Sequence, residues 1–227
     1  MGGVGVKLSF LPLFHERQTS KTMALFYLLL VFFFCFGASL GSFLNVVIWR
    51  LPNKMSLSFP ASHCPKCGHP IRPWHNIPVL GWIILRGKCY DCHEPISARY
   101  PVVELIGGVG TLLIAFPYLA TLIHFLSQGS SPSWDIWLSV AANICMFLTS
   151  LAAGLILWDR NRIPFRLFLP AIVFWVWLMQ NDLGLVLVLP VVCVLLTFIP
   201  QRLRRGFAIP VLILTVVWVL NPYVFLL

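Results

Sequence analysis

The chain has 227 residues, 59% hydrophobic and only 10% charged, with a net charge of +9 and a mean hydropathy of +0.89. A soluble domain carries about 25% charged residues, so this composition excludes a protein organised around one water-soluble core and points to a polytopic membrane protein. The seven cysteines do not read as a disulfide framework, because Cys35, Cys145 and Cys193 stand singly in apolar runs, where cysteine behaves as a small hydrophobe.

In chain order, residues 1–23 form a mixed polar tail without a signal-peptide pattern. Met23 opens the first apolar run directly and is an alternative start to Met1. Apolar segments follow at 24–48, 101–126, 136–158, 165–180, 183–200 and 207–227. A span takes about 20 residues. The 165–180 and 183–200 segments are short and separated only by Asn181 and Asp182, so they read either as two spans or as a re-entrant pair. The expected architecture is an all-α polytopic membrane protein of about six transmembrane helices. Its parts are the tail (1–23), a first transmembrane helix (24–49), a loop domain (50–99) and a helical membrane domain (100–227).

Lys and Arg concentrate in the 50–99, 159–166 and 200–206 loops, and are absent from the 127–135 loop, the 181–182 link and the C-terminus. The positive-inside rule then places the three basic loops in the cytoplasm and both termini outside. Lys7, Arg17 and Lys21 in the tail oppose this orientation, but the seven basic residues of the 50–99 loop outweigh them.

That loop holds the other four cysteines as two Cys-x-x-Cys pairs, Cys64/Cys67 and Cys89/Cys92, with 21 residues between them. Paired knuckles of this kind are a strong signal for a tetrahedral structural zinc site. A loop of about 50 residues buries too little apolar surface to stabilise itself, which makes a metal staple physically sensible. The expectation is a small cytoplasmic zinc-ribbon-like hairpin, clamped by Zn²⁺ on Cys64, Cys67, Cys89 and Cys92. Four thiolates leave no open coordination position, so the metal would be structural rather than catalytic. His63, His69, His75 and His93 flank the shell without being needed as ligands. An apolar strip including Trp74, Ile77, Leu80, Ile83 and Ile84 suits packing on spans or lipid better than nucleic acid.

The flanks of the loop carry more specific information. GASLGSFLNVVIWRLP (37–52), CPKCG (64–68), NIPVLGWIILRGKCYDC (76–92) and ISARYPVVELIGG (96–108) occur in order. This arrangement resembles the N-terminal half of the prepilin peptidase family over residues 37–108. The resemblance implies a bacterial inner-membrane aspartic endopeptidase. Such enzymes remove the basic leader of type IV prepilins or type II secretion pseudopilins at the cytoplasmic face. Many also N-methylate the product with S-adenosylmethionine. Implied partners are membrane lipid, prepilin or pseudopilin substrates, and pilus or secretion components, with no nucleic acid.

The family uses two aspartates at the cytoplasmic edges of spans, one of them in a D-x-x-x-x-[IL]-P-D stretch and the other in G-x-G-D. Two adjoining carboxylates share a proton, so that one activates water while the other polarises the scissile carbonyl. Asp159, in LILWDRNRIPF (155–165), matches the first position and is the candidate catalytic residue. Phe165 replaces the second aspartate of that stretch, and no G-x-G-D occurs, so a partner for Asp159 is not identified. Asp182 falls on the opposite side in the expected topology, about 30 Å away across the bilayer. Asn45 is either an inter-helix hydrogen-bonding group or part of a substrate groove, and Glu104 matches a family position where it would support the site. As simpler roles, Glu104 would pair with Arg99, and Asp159 with Arg160 or Arg162. Gly37 and Gly41, four apart, would let another helix approach closely. The alternative to an active peptidase is a proteolytically inactive relative that serves in docking, assembly or methylation.

Overall fold

The computed structural model describes residues 16–173 and 198–220. Its helices are α1 (Glu16–Arg50), α2 (Leu80–Ile84), α3 (Arg99–Ser127), α4 (Trp134–Trp158) and α5 (Arg204–Leu220), with 3₁₀ turns at Pro73–His75 and Phe165–Phe168. Among the described residues, three helical segments are long and apolar enough to cross a membrane: Thr22–Arg50, Arg99–Ser127 and Trp134–Trp158. They coincide with the first three expected spans. Of the other three, the 165–180 segment opens with the 3₁₀ turn, and α5 covers the first part of 207–227. Residues 183–197 of the 183–200 segment, with Asp182 and Cys193, lie outside the described residues.

The first helix is already formed at Glu16, the first described residue, ahead of the expected 24, because Glu16–Thr22 contains neither Gly nor Pro and extends the apolar helix without a break. It stops at Arg50, before Pro52. Proline disfavours helical backbone in the residue before it, and a cation in the last turn complements the helix dipole. In α3, Pro101 falls in the first turn, where its missing N–H breaks no helical bond. The α4 helix ends in a Schellman motif. Arg160, at φ 61°, donates its N–H to the Leu157 carbonyl (2.9 Å), and Asn161 donates to Ile156 (3.0 Å).

The helices α1 and α3 run antiparallel at close range, as the glycine spacing predicts. A Cβ on Gly37 would lie 2.5 Å from the Gly107 oxygen and from Thr111 Cβ, and one on Gly41 2.9 Å from Glu104 Cα. Glycine is required here because backbone meets backbone. On the other side of α1, Tyr27, Leu28, Val31, Phe32, Phe36 and Phe43 point outward. Small residues inside and large apolar ones outside suit a lipid solvent rather than water. The second contact is between α4 and α5. There the Thr215 hydroxyl lies 3.0 Å from Ser150 Oγ in a buried polar bridge. Arg204 and Arg205 at the start of α5 donate to the Arg160 and Trp158 carbonyls at the end of α4 (both 3.0 Å). These bonds satisfy carbonyls that the helix end leaves open.

Candidate metal cluster and interfacial carboxylates

The two cysteine pairs come together. All four Sγ atoms lie within 4.8 Å of one another, with Cys64 to Cys92 at 3.8 Å and Cys67 to Cys89 at 4.0 Å. Four ligands at a zinc–sulfur distance of about 2.3 Å sit about 3.8 Å apart along a tetrahedron's edges. The cluster therefore fits a tetrahedral metal with only small adjustments. Cys64 and Cys89 are buried, while Cys92 reaches the surface.

Each knuckle has the same build, offset by 25 residues. Cys64-Pro-Lys-Cys-Gly-His-Pro-Ile and Cys89-Tyr-Asp-Cys-His-Glu-Pro-Ile are a short internal repeat that residue-by-residue reading overlooks. In each, the first cysteine's N–H bonds a carbonyl five residues on: Cys64 to His69 (3.0 Å) and Cys89 to Glu94 (2.8 Å). The residue after the second cysteine takes a left-handed conformation, Gly68 at φ 74° and His93 at φ 59°. Glycine does this without strain, and histidine is among the few other residues enriched there. Single antiparallel bridges, His63 with Pro70 and Lys88 with Pro95, close the knuckles.

No strand occurs among the described residues, and of the expected zinc-ribbon-like hairpin the structure shows the two paired knuckles. Both bridges end on a proline, which has no N–H with which to extend a ladder. Between the knuckles the chain makes a 3₁₀ turn and α2 instead of a hairpin arm. The knuckles also touch through side chains: Arg72 lies over the Tyr90 ring at 3.9 Å and reaches Asp91 at 3.4 Å, and Lys66 reaches Glu94 at 3.7 Å.

Without a cation the four thiols hold negative charge unevenly. The Cys67 and Lys66 backbone N–H groups lower the Cys64 thiol to about 6. For Cys92, the Glu94 N–H favours the thiolate, but partial loss of hydration on the cluster side and the neighbouring Cys67, Cys89 and Cys64 outweigh it and push the thiol up to about 12. Cys67 is likewise raised: the His69 N–H opposes the shift, and burial with its neighbours Cys64 and Cys89 prevails. One thiolate thus suppresses others, and a divalent ion would relieve that conflict.

The carboxylates have partners other than those expected from sequence. Asp159, the residue that caps the end of α4, is gripped by Arg99 at the start of α3, with Nη1–Oδ1 at 2.8 Å and Nη2–Oδ2 at 2.7 Å. The simpler pairing with Arg160 or Arg162 fails because Arg160 turns into the Schellman conformation, whereas Arg99 presents its planar fork across the helix ends. A carboxylate at a helix C-terminus faces the negative end of the dipole, and the guanidinium offsets this. Each oxygen retains a lone pair to accept from water.

Glu104 does not pair with Arg99 either. It accepts the Val79 backbone N–H at 2.6 Å. Val79 has φ 62°, ψ −52°, and the next N–H, of Leu80, bonds the Pro78 carbonyl at 2.6 Å. This is a γ-turn in its rare positive-φ form, centred on a β-branched residue, and Glu104 holds it in place. Asn45 Nδ2 donates to the Tyr100 carbonyl at 3.2 Å, so it joins α1 to α3 as an inter-helix hydrogen bond.

A cleft of about 370 Å³ opens between α1 and the loop, lined by Ser39, Ser42, Phe43 and Arg50 on one side and by Ser62, Asn76 and Pro78 on the other. Arg50 is buried, and its guanidinium donates to the Ser56 (3.1 Å) and Pro60 (2.7 Å) carbonyls, which fixes the start of the loop against α1. Neither Arg99 nor Arg50 stands out in sequence, where each is one basic residue among sixteen. The positions flanking RYP and WRLP were the available signal, since each lies where a span meets the loop.

The fold and cluster define a class: a helical membrane protein with a four-cysteine loop between its first two spans. Residues 35–118 match the Bacterial Peptidase A24 N-terminal domain, and over this segment the chain is similar to the prepilin peptidase family. Over 79 residues it is 52% identical to a prepilin leader peptidase/N-methyltransferase of Myxococcus xanthus, covering 35% of this chain and 24% of that protein. A longer match, 34% over 178 residues, is to the protein of the same name from Pseudomonas putida, with 68% of this chain and 55% of the relative covered. A type 4 prepilin-like proteins leader peptide-processing enzyme of Escherichia coli is 45% identical over 95 residues, which cover 34% of this chain and 35% of the relative. The chain spans about half the length of the relatives it matches most fully. No solved structure matches it.

Proposed function

We propose that this protein processes prepilin-like substrates in the bacterial inner membrane, with its four-cysteine loop in the cytoplasm, removing leader peptides and N-methylating the product. The observation that carries this reading is the 34% identity over 68% of the chain to a relative named for both activities. It extends beyond the cysteine loop into the following helices.

In this reading Zn²⁺ binds Cys64, Cys67, Cys89 and Cys92 and holds the loop domain together without taking part in the chemistry. Asp159 supplies one carboxylate of the cleaving pair, aligned by Arg99 and able to accept a proton from water through its remaining lone pairs. Its partner carboxylate is not among the motifs of these 227 residues, since no G-x-G-D occurs in them. Glu104 and Asn45 support the region, one by fixing the loop turn and the other by joining α1 to α3. Methyl transfer would draw on S-adenosylmethionine. The sequence has no glycine-rich fingerprint for it.

The Arg99 clamp favours a second reading as well. A carboxylate held in a bidentate ion pair is suited to joining helices, as a proteolytically inactive relative acting in docking, assembly or methylation would need. Coexpression with a prepilin, followed by mass measurement of the product, separates the two. Leader loss that Asp159→Ala abolishes supports the peptidase. A methylated but uncleaved substrate supports the inactive relative.

A further inference from the structure

We infer that residues 77–84 insert into the membrane interface as a lipid-contacting turn, so that the cysteine loop rests on the bilayer instead of standing free in water. Three observations meet here. The first is depth. Val79 is tied to Glu104, the fifth residue after Arg99, which places its amide about 7 Å along α3 from that helix's start. Glu104 in turn packs against Gly41, which lies about 13 Å before the end of α1. Both helices have 29-residue apolar segments, whereas the hydrocarbon core needs about 20. The turn therefore folds back beside the spans, to the level where headgroups give way to acyl chains.

The second observation is the polarity of α2, which is inverted relative to a helix on a soluble domain. Its inner side is built by Gly81, buried against His75, and by Trp82, whose indole donates to the Ile96 carbonyl at 3.0 Å. Its outer side consists of Leu80, Ile83 and Ile84, which share one face at helical spacing and are 54, 56 and 63% exposed. Ile77 and Trp74 add to the exposed apolar surface. The third is charge. Exposed Arg86 and Lys88 follow α2 directly, and the nearest acidic residue after it is Asp91. Basic residues flanking an aliphatic patch match an anionic lipid surface. Insertion would also hold Asn76 and Pro78 as the wall of the cleft beside α1.

The test is site-specific photocrosslinking of the full chain in vesicles of phosphatidylethanolamine and phosphatidylglycerol. A benzophenone amino acid replaces Leu80 or Ile84, whose outward side chains tolerate it. Phe43, exposed on α1, and Glu94, on the second knuckle, are the reference positions. Phospholipid adducts are expected at 80 and 84 at yields similar to 43 and several-fold above 94. Adducts at 80 and 84 that join protein to protein, or no lipid adduct there while 43 gives one, would overturn the inference. The outcome does not depend on peptidase activity.

Discussion

Metal binding by the cysteine cluster should be steeply dependent on pH, and the slope follows from the thiols' environments. A metal ligates thiolates, so every thiol still protonated must release its proton on binding. At pH 7 Cys64, at about 6, is already ionised, whereas Cys67 is raised above the ordinary thiol value of 9.0 and Cys92 stands at about 12. Binding must therefore expel at least the Cys67 and Cys92 protons. Protons compete with the metal, so affinity rises with pH and is lost as pH falls. At least two protons give at least about a hundredfold change in apparent affinity per pH unit between pH 6 and 9, and below pH 6, where Cys64 also protonates, the dependence steepens by up to about a further tenfold. The assay is zinc competition against a chromophoric chelator at pH 6.5 and 7.5. Calorimetry in two buffers of different ionisation enthalpy counts the released protons independently. The full chain should bind one equivalent of zinc, and Cys64→Ser or Cys89→Ser should lose it. Affinity that does not change with pH, or release of fewer than two protons, would refute the reasoning about how the cluster shares charge.

Removing either partner of the Arg99–Asp159 pair should destabilise the protein by about 1–3 kcal/mol, the range for charge-assisted hydrogen bonds, with the lower end favoured because the side chains are 39 and 26% exposed. A double-mutant cycle of Arg99→Ala and Asp159→Asn, read by thermal unfolding in detergent, should be non-additive; additivity would show the two groups to be independent. Gly37→Leu should push α1 off α3, because even a Cβ there meets the Gly107 carbonyl at 2.5 Å, and should lower the unfolding temperature more than Gly206→Leu, where nothing lies nearby. Glu104→Ala should release the strained Val79 turn and increase protease cleavage within 76–84, whereas Glu104→Gln, which keeps an acceptor, should largely preserve protection. Thr215→Val should cost about 1 kcal/mol, as loss of one buried hydrogen bond between α4 and α5 does, and should leave zinc content unchanged.

The parts of this molecule that were legible in sequence are those that depend on local pattern. Apolar runs located α1, α3 and α4, because a span must satisfy its own backbone whatever surrounds it. Gly37 and Gly41 announced a close helix contact, and paired Cys-x-x-Cys motifs announced a four-sulfur cluster. What sequence did not convey depends on which distant groups meet. Arg99 could be matched to Glu104, five residues away on the same helix, or to Asp159, sixty residues away. Only the fold shows that α3 starts where α4 ends. The shortness of the knuckles had a local signal that was present but overlooked, the prolines at 70 and 95 that end each one after a single bridge.

These contacts connect the cysteine loop to the membrane helices through a few residues near one helix start. Arg99 follows Cys92 by seven residues and holds Asp159 at the end of α4. Glu104, just beyond it on α3, holds the γ-turn at Val79 between the knuckles, and Asn45 bonds the carbonyl of Tyr100 next door. Because α3 is one rigid rod over this stretch, a shift of the knuckles would be transmitted to Asp159 without any large rearrangement of the bundle. Loss of the metal should therefore be felt at Asp159, more than a cluster's width away, as a loosened ion pair. A metal held by the four cysteines would then have a physical role in the fold: it would set the position of the helix start from which the interfacial carboxylate is held.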